Sequence, residues 1–377
     1  METAPFVFGK IVSGQDFTNR QLEMERLLQN FNNGINTILI SPRRWGKSSL
    51  VKKATEQSKR KNPKLVFCYI DLFNIRTEQE FYEAYIRELI KVTSTKWEER
   101  IRIGKQLFKK IIPQFSVGID PMNDLSIALD WKEVKKGPEE ILDLAENICK
   151  TKKIKVVVCI DEFQNIAFFD EPLAFQKKLR AHWQHHKHTS YCLYGSKRHL
   201  LMDIFSSTAM PFYKFGDVIF LEKIKENYWV NFITKRFNDT RKKVDKSLAE
   251  RMARLMENHP YFVQQLAQQV WLISKKVCTD KDIDKALENL MLQNSILFQR
   301  ETDNLTNNQL NYLRALIAGA TQLSSKETLQ AYKLGTSANV LRIKEGLENK
   351  EVIDTVGSTI EFIDPLFKMW LQQIYFK

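Results

Sequence analysis

The sequence predicts a parallel α/β sheet covered by helices on both faces, then an all-helical segment, then a compact module of three helices and a hairpin. Up to about residue 223, five short runs rich in β-branched and aromatic residues alternate with amphipathic helical stretches. Runs apolar on both faces belong in a sheet buried on both sides. From 226 to 298 the apolar spacing is helical throughout. The polar stretch RETDNLTNNQ then leads into the last module. The expected division is 1–223 for the α/β core, 224–300 for a helical lid and 301–377 for the terminal module.

Residues 36–40 read as the first strand, with a helix beginning near Lys47. The second strand is expected at 64–71 and is followed by a helix from about 77 to 92. Strands three, four and five fall at 154–161, 190–195 and 217–221. Between the second and third, QFSVGIDPMNDLSIALDW reads as a small β excursion. In the last module the helix QLNYLRALIAG ends at Gly319, a second starts near Ser324 and a third at the cap-like Thr336 or Ser337. EVIDTV and STIEFID flank a Gly357-Ser358 turn. Three helices followed by a hairpin is the order of a winged helix-turn-helix.

At 377 residues the chain exceeds one ordinary domain, and 43% hydrophobic with 27% charged residues is the balance of a soluble globular protein. No run approaches the roughly 18 to 20 apolar residues of a membrane span. The opening METAPFVFGKIVSGQDF lacks the basic and apolar regions of a signal peptide. Five scattered cysteines without a CxxC suit buried thiols in a reducing compartment, so a cytoplasmic protein is expected. The net charge of +13 suggests an acidic partner, nucleic acid first. From Glu301 onward there are 8 basic and 9 acidic residues, so the excess lies upstream. It gathers in runs such as Lys59-Arg60-Lys61, Lys109-Lys110, Lys152-Lys153, Lys177-Lys178 and Arg241-Lys242-Lys243, each read first as a solvated face.

The chemistry concentrates after the first strand, at Ser41-Pro42-Arg43-Arg44-Trp45-Gly46-Lys47-Ser48-Ser49. A strand, a tight loop with Gly-Lys-Ser and a helix form a phosphate-binding arrangement. Unsatisfied backbone N–H groups at the helix start, with its dipole, attract phosphate oxygens. Lys47 is expected to reach the β- and γ-phosphates of ATP, and Ser48 to hold Mg2+. Ser41 stands where such loops usually carry their first glycine; that position needs a sharp turn, which Pro42 helps set. The third strand ends in Asp161-Glu162, about 110 residues downstream, on a strand that can lie beside the first. Asp161 is expected to support Mg2+ and Glu162 to polarise the attacking water. Together the two motifs predict a P-loop NTPase core.

FTNRQLE, SPRRWGKSSL, CIDEFQNI, LYGSKRHL, PFYKFGDVIFLEKI and NHPYF occur in the order found in the archaeal-type ATPases of the STAND/AAA+ P-loop group, which the chain resembles over nearly its whole length. TSANVLRIKEGLENKEVID followed by FIDPLFKMW resembles that family's terminal winged helix. The resemblance implies that Phe17, Arg20 and Glu23 form a box near the nucleotide, with Asn19 in place of its glycine. It implies a sensor role for Ser196 after the fourth strand, and contact between His259 of a His-Pro motif and the γ-phosphate. Relatives often carry an arginine before the fifth strand. Here Pro211-Phe212-Tyr213-Lys214-Phe215-Gly216 has none, leaving Lys214 or Arg198 to meet transition-state charge.

His182, His185, His186 and His188 in RAHWQHHKH suggest a metal pair at helical spacing, but no acid or cysteine completes it nearby in sequence. A solvated basic helix is the expectation, with Lys177, Lys178 and Arg180 as nucleic-acid contacts in the alternative. The third helix of the terminal module offers Arg342 and Lys344 beside Glu345 and Glu348. That balance favours packing on the core, self-assembly or a protein partner over DNA. The expected function is an ATP-binding, Mg2+-dependent and slow ATPase that switches conformation with nucleotide state. The alternative is a nucleic-acid-binding regulator whose ATP site is mainly structural.

Overall fold

The computed structural model describes residues 3–12, 14–94, 117–119, 125–127, 131, 134, 137–357 and 359–377. The basic pair at 109–110 and most of the segment between strands two and three lie outside the described residues. The chain forms two compact units. One comprises Arg20–Ser41 and Lys47–Leu221; the other comprises Met1–Asn19, Pro42–Gly46 and Glu222–Lys377.

The first unit is built on five parallel strands: β1 (Thr37–Ile40), β2 (Leu65–Asp71), β5 (Lys155–Asp161), β6 (Thr189–Gly195) and β7 (Asp217–Phe220). Their order is β2-β5-β6-β1-β7. The expected strands are present, with one correction of placement. The strand ending in Asp161 does not lie beside β1; β6 stands between them, pairing Ile160 with Leu193 on one side and Ile40 with Gly195 on the other. Apolar runs alone cannot rank strands within a sheet, because every interior strand is apolar on both faces. The small excursion is an antiparallel pair, β3 (Val117–Ile119) with β4 (Leu125–Ile127).

Helices cover this sheet for local reasons. The helix Glu78–Thr93 starts at a capping box in which Thr77 accepts from Glu80 N and the Glu80 side chain accepts from Thr77 N. It buries Phe81, Tyr85, Ile86 and Leu89. Trp183, at the end of the helix Pro172–Trp183, stacks on Tyr191 of β6 at 3.9 Å. All five cysteines are buried free thiols.

In the second unit, the helices Glu226–Asp239, Lys246–Leu255, Pro260–Ile273 and Asp280–Asp303 enclose Trp229, Ile233, Met252, Val263 and Leu266. The last of these helices continues into the polar stretch read as a connector and ends at Asp303, leaving only residues 304–306 between it and the next helix. Thr279 and Asp282 form its capping box. The N-terminal segment packs into the same core: Phe6 lies edge-on to Phe232, Gln268 Nε2 donates to Phe6 O at 3.0 Å, and Arg236 Nε donates to Pro5 O at 2.6 Å. The terminal module follows as helices Asn307–Ile317, Lys326–Ala331 and Ser337–Asn349, then the hairpin β8 (Ile353–Val356) and β9 (Thr359–Phe362). Gly357 at its turn has φ +62, the left-handed region where glycine is unstrained. A final helix, Pro365–Trp370, buries Leu366, Phe367 and Trp370.

The β1–β7 edge depends on close approach at Gly216. A Cβ there would stand 2.2 Å from the carbonyl oxygen of Asn36, which accepts from Asp217 N at 2.8 Å. Gly216→Ala is therefore expected to destabilise the protein by about 1–3 kcal/mol, read as a lowered urea midpoint with an unchanged slope.

Candidate active site

Parallel strands bring their carboxyl ends to one edge of a sheet. β1 reaches that edge at Ile40, β6 at Gly195 and β5 at Asp161. The helix after the loop begins at Lys47. Ser48 Oγ donates to Asp161 Oδ2 at 2.9 Å, and Lys47 Nζ lies 3.1 Å from Glu162 Oε1 and 3.7 Å from Asp161 Oδ1. Ser196, one residue past β6, donates to Glu162 Oε2 from Oγ at 2.9 Å and from its backbone N at 3.2 Å. Lys47, Ser48, Asp161, Glu162 and Ser196 thus meet at one strand edge.

Glu162 has φ +51, a left-handed conformation that costs a non-glycine residue about 1–2 kcal/mol. The strain ends β5 abruptly and is offset by the contacts of the carboxylate. Burial works to raise the Glu162 pKa, but the Lys47 charge and hydrogen bonds from Gln164, Lys47 and Ser196 hold it below the ordinary range. Asp161 goes the other way: burial dominates and pushes it up, although Lys47 and Ser48 oppose this. The ammonium is closer to Glu162, which accounts for the split.

Residues Pro42–Gly46 belong to the second unit, and the contacts of Arg43, Arg44 and Trp45 described next lie within it. Trp45 is buried, its ring edge-on to His259 at 6.1 Å. Arg44 (φ +65) lies over the Tyr261 ring at 4.8 Å, and Arg43 pairs with Glu351 at 3.3 Å. Gly46 has φ +89, outside what a side chain tolerates comfortably. His259 caps the helix Pro260–Ile273 by accepting from Tyr261 N through Nδ1 at 3.2 Å. This assigns the ring proton to Nε2, a buried atom with no hydrogen-bond partner. Burial, with Lys223 and Arg44 nearby, lowers the imidazole to about 3, so the ring is neutral. Glu301 and Asp364, which sequence reasoning passed over, are pushed up by burial to about 7 and about 6, each with Arg44 opposing the rise.

Other predicted residues are placed differently. Asn19 (φ +59) and Arg20 (φ +71) are consecutive left-handed residues, a conformation asparagine adopts more readily than most side chains. Arg20 is buried and pairs with Glu23 at 3.0 Å. Ser41 and Ser49 are buried, and Pro42 lines a small cavity with Trp45 and His259. The Arg198 guanidinium lies over the Phe220 ring at 5.7 Å, and Lys214 over Tyr213 at 5.3 Å.

The histidine cluster acquires acids that its local sequence lacks. His182 Nδ1 and His186 Nε2 share Asp143 Oδ1 at 2.9 and 3.1 Å, and His188 Nδ1 meets Glu146 Oε1 at 2.8 Å. The expectation of a purely solvated histidine face is corrected: these partners come from some 40 residues upstream. Among the described residues, no group of three or more His, Cys, Asp or Glu side chains is placed to hold a metal ion. A magnesium site does not require one, since Mg2+ is usually held by one or two protein oxygens plus phosphate and water. Lys178 pairs with Glu78 at 2.9 Å and Arg180 lies over Phe215, whereas Lys177 is exposed. Sequence reasoning also missed Gln164, two positions after Glu162, whose Nε2 donates to Glu162 Oε2 at 2.5 Å.

Residues 17–266 match the family described as an ATPase domain predominantly from Archaea. The chain belongs to that ATPase family. Residues 296–373 of this archaeal-type ATPase match a probable winged helix domain. Its fold is similar to that of the Walker-type ATPase PABY2304 of Pyrococcus abyssi, at 17% identity, 95% and 97% coverage of the two chains and a TM-score of 0.65. It is also similar to the ORC2 protein of Aeropyrum pernix in ADPNP–ADP complexes, at 14% identity, 92% and 90% coverage and a TM-score of 0.57. A sequence comparison with curated proteins gives no match. No helix among the described residues is long and apolar enough to cross a membrane.

His259 gives a pH test. Its unfolded value is about 6.5 and its folded value about 3. A depressed imidazole contributes stability that is complete above about pH 6.5 and falls, by up to about 1.4 kcal/mol per pH unit, as acid protonates the unfolded chain first. Glu301 and Asp364, raised by burial, act in the opposite sense over the same range. The comparison that isolates the histidine is urea unfolding of wild type against His259→Asn, which keeps a capping acceptor. From pH 7 to 5 the wild type should lose stability relative to the variant.

Proposed function

We propose that the protein binds ATP with Mg2+ and hydrolyses it slowly, using nucleotide state to switch conformation. The observation that carries the reading is the meeting of the Gly-Lys-Ser helix start with the Asp161-Glu162 strand end, through Ser48–Asp161 and Lys47–Glu162. Lys47 is a cation already aimed at the edge where the β- and γ-phosphates would lie. Ser48 and Asp161 supply two oxygen donors 2.9 Å apart, a donor set that suits Mg2+, which when bound neutralises phosphate charge. Glu162 is the acceptor for the proton of the attacking water, and Ser196 holds its carboxylate.

Slow turnover follows from the cations around the site. Arg198 and Lys214 are engaged with aromatic rings in this structure, and a lysine matches planar transition-state charge less well than arginine. The switch reading rests on His259. A neutral ring whose Nε2 proton lacks a protein acceptor, packed against Trp45 of the loop, is suited to donate to a phosphate. The three-part division at 223 and 300 assigns the core, lid and winged helix of this switch. The balanced charge of the winged helix, and Glu351 on Arg43 of the loop, favour a packing or protein-contact role for it.

A second reading, nucleic-acid binding by a regulator with a mainly structural ATP site, draws on exposed Lys177 and Arg342. It calls for salt-dependent DNA affinity that survives Lys47→Ala and weakens on reversal of these charges.

ATP turnover by the wild type, Lys47→Ala and Glu162→Gln decides between them. The ATPase reading expects both variants to lose at least about 100-fold in kcat/KM, with nucleotide affinity retained in Glu162→Gln. Equal turnover in all three would sink it.

A further inference from the structure

Glu162 divides its two carboxylate oxygens between different partners. Among the described residues Oε1 meets Lys47 Nζ alone, at 3.1 Å, whereas Oε2 receives Gln164 Nε2, Ser196 Oγ and Ser196 N at 2.5, 2.9 and 3.2 Å. Lys47 is also the side chain that phosphate would draw away. We propose that Gln164 is a positioning residue for Glu162: with Ser196 it pins Oε2, so that Oε1 alone is freed to meet water when Lys47 turns to phosphate.

Three features fix Gln164 itself. It is buried, at 1% exposure, in the 3-10 turn Phe163–Phe168, whose Phe163 and Ile166 are anchored in the core. Its neighbour Asn165 donates to Leu72 O at 2.9 Å, tying that turn to the chain just beyond β2. Its own Oε1 is buried without a hydrogen-bond partner and faces Gly195, where an added Cβ would stand 1.9 Å from it. Leaving a buried amide oxygen unpartnered is unfavourable. The conformation is therefore held for the bond its nitrogen makes, and Gly195 is the space that admits it.

The assignment rests on the ATPase reading. In hydrolysis a water oxygen bonds to the γ-phosphorus, and the bond from phosphorus to the β–γ bridging oxygen breaks. ADP keeps that electron pair, and the water proton passes to Glu162 Oε1. A carboxylate with one oxygen tethered presents the other in a fixed direction; an untethered one does not.

The test compares ATP turnover by wild type, Gln164→Met and Gly195→Ala. Methionine keeps the length of Gln164 without its donor. Alanine at 195 displaces the amide while leaving Gln164 in the sequence. Both are expected to lower kcat about 10- to 100-fold with ATP KM little changed. In a Glu162→Gln background, Gln164→Met should lower the residual rate no further, because it acts through the carboxylate. Melting curves establish that each variant is folded. Wild-type turnover matched by a folded Gln164→Met, a faster Gln164→Met, a loss that falls on KM rather than kcat, or additive losses overturn the assignment while leaving the ATPase reading standing. A wild type no faster than Glu162→Gln overturns both.

Discussion

Two adjacent carboxylates at the end of one buried strand need a cation, and Lys47 supplies it. Burial alone would drive both Asp161 and Glu162 toward the protonated state. Placing the ammonium 3.1 Å from one and 3.7 Å from the other holds Glu162 ionised and moderates the rise at Asp161. That one contact ties the first turn of the helix Lys47–Lys61 to the end of β5, on the far side of β6. The ammonium is therefore already shared between two carboxylates, and any other anion brought to this edge would compete with them for it.

The strand order brings in a third residue. Because β6 lies between β1 and β5, the residue after it, Ser196, reaches Glu162 at the end of the neighbouring strand. The left-handed backbone at Glu162 and the absent side chain at Gly195 serve the same crowded spot.

Much of this was legible in the sequence, and the reason differs from element to element. Strands and helices declared themselves by apolar spacing. That Lys47, Ser48, Asp161 and Glu162 would come together was readable from a Gly-Lys-Ser helix start and an acidic strand end in one parallel sheet. Ser196 and His259 were reachable only through resemblance, since a serine after a strand or a histidine before a proline has commoner explanations. The order of the strands was hidden, as buried strands look alike from outside their sheet. Asp143 and Glu146 were hidden as partners of the histidines because proximity in space, not in sequence, makes them so. Gln164 was in plain view within CIDEFQNI, but a glutamine announces no chemistry until its acceptor is seen.

The five residues Pro42–Gly46 belong to one compact unit, while Ser41 before them and Lys47 after them belong to the other. The chain therefore passes between its two bodies at residues 19–20, 41–42, 46–47 and 221–222, not once at a linker. No single cut in the chain separates the two units. A fragment ending near residue 221 would keep the whole parallel sheet yet carry Arg43, Arg44 and Trp45 without the partners they meet here, Glu351, Tyr261 and His259.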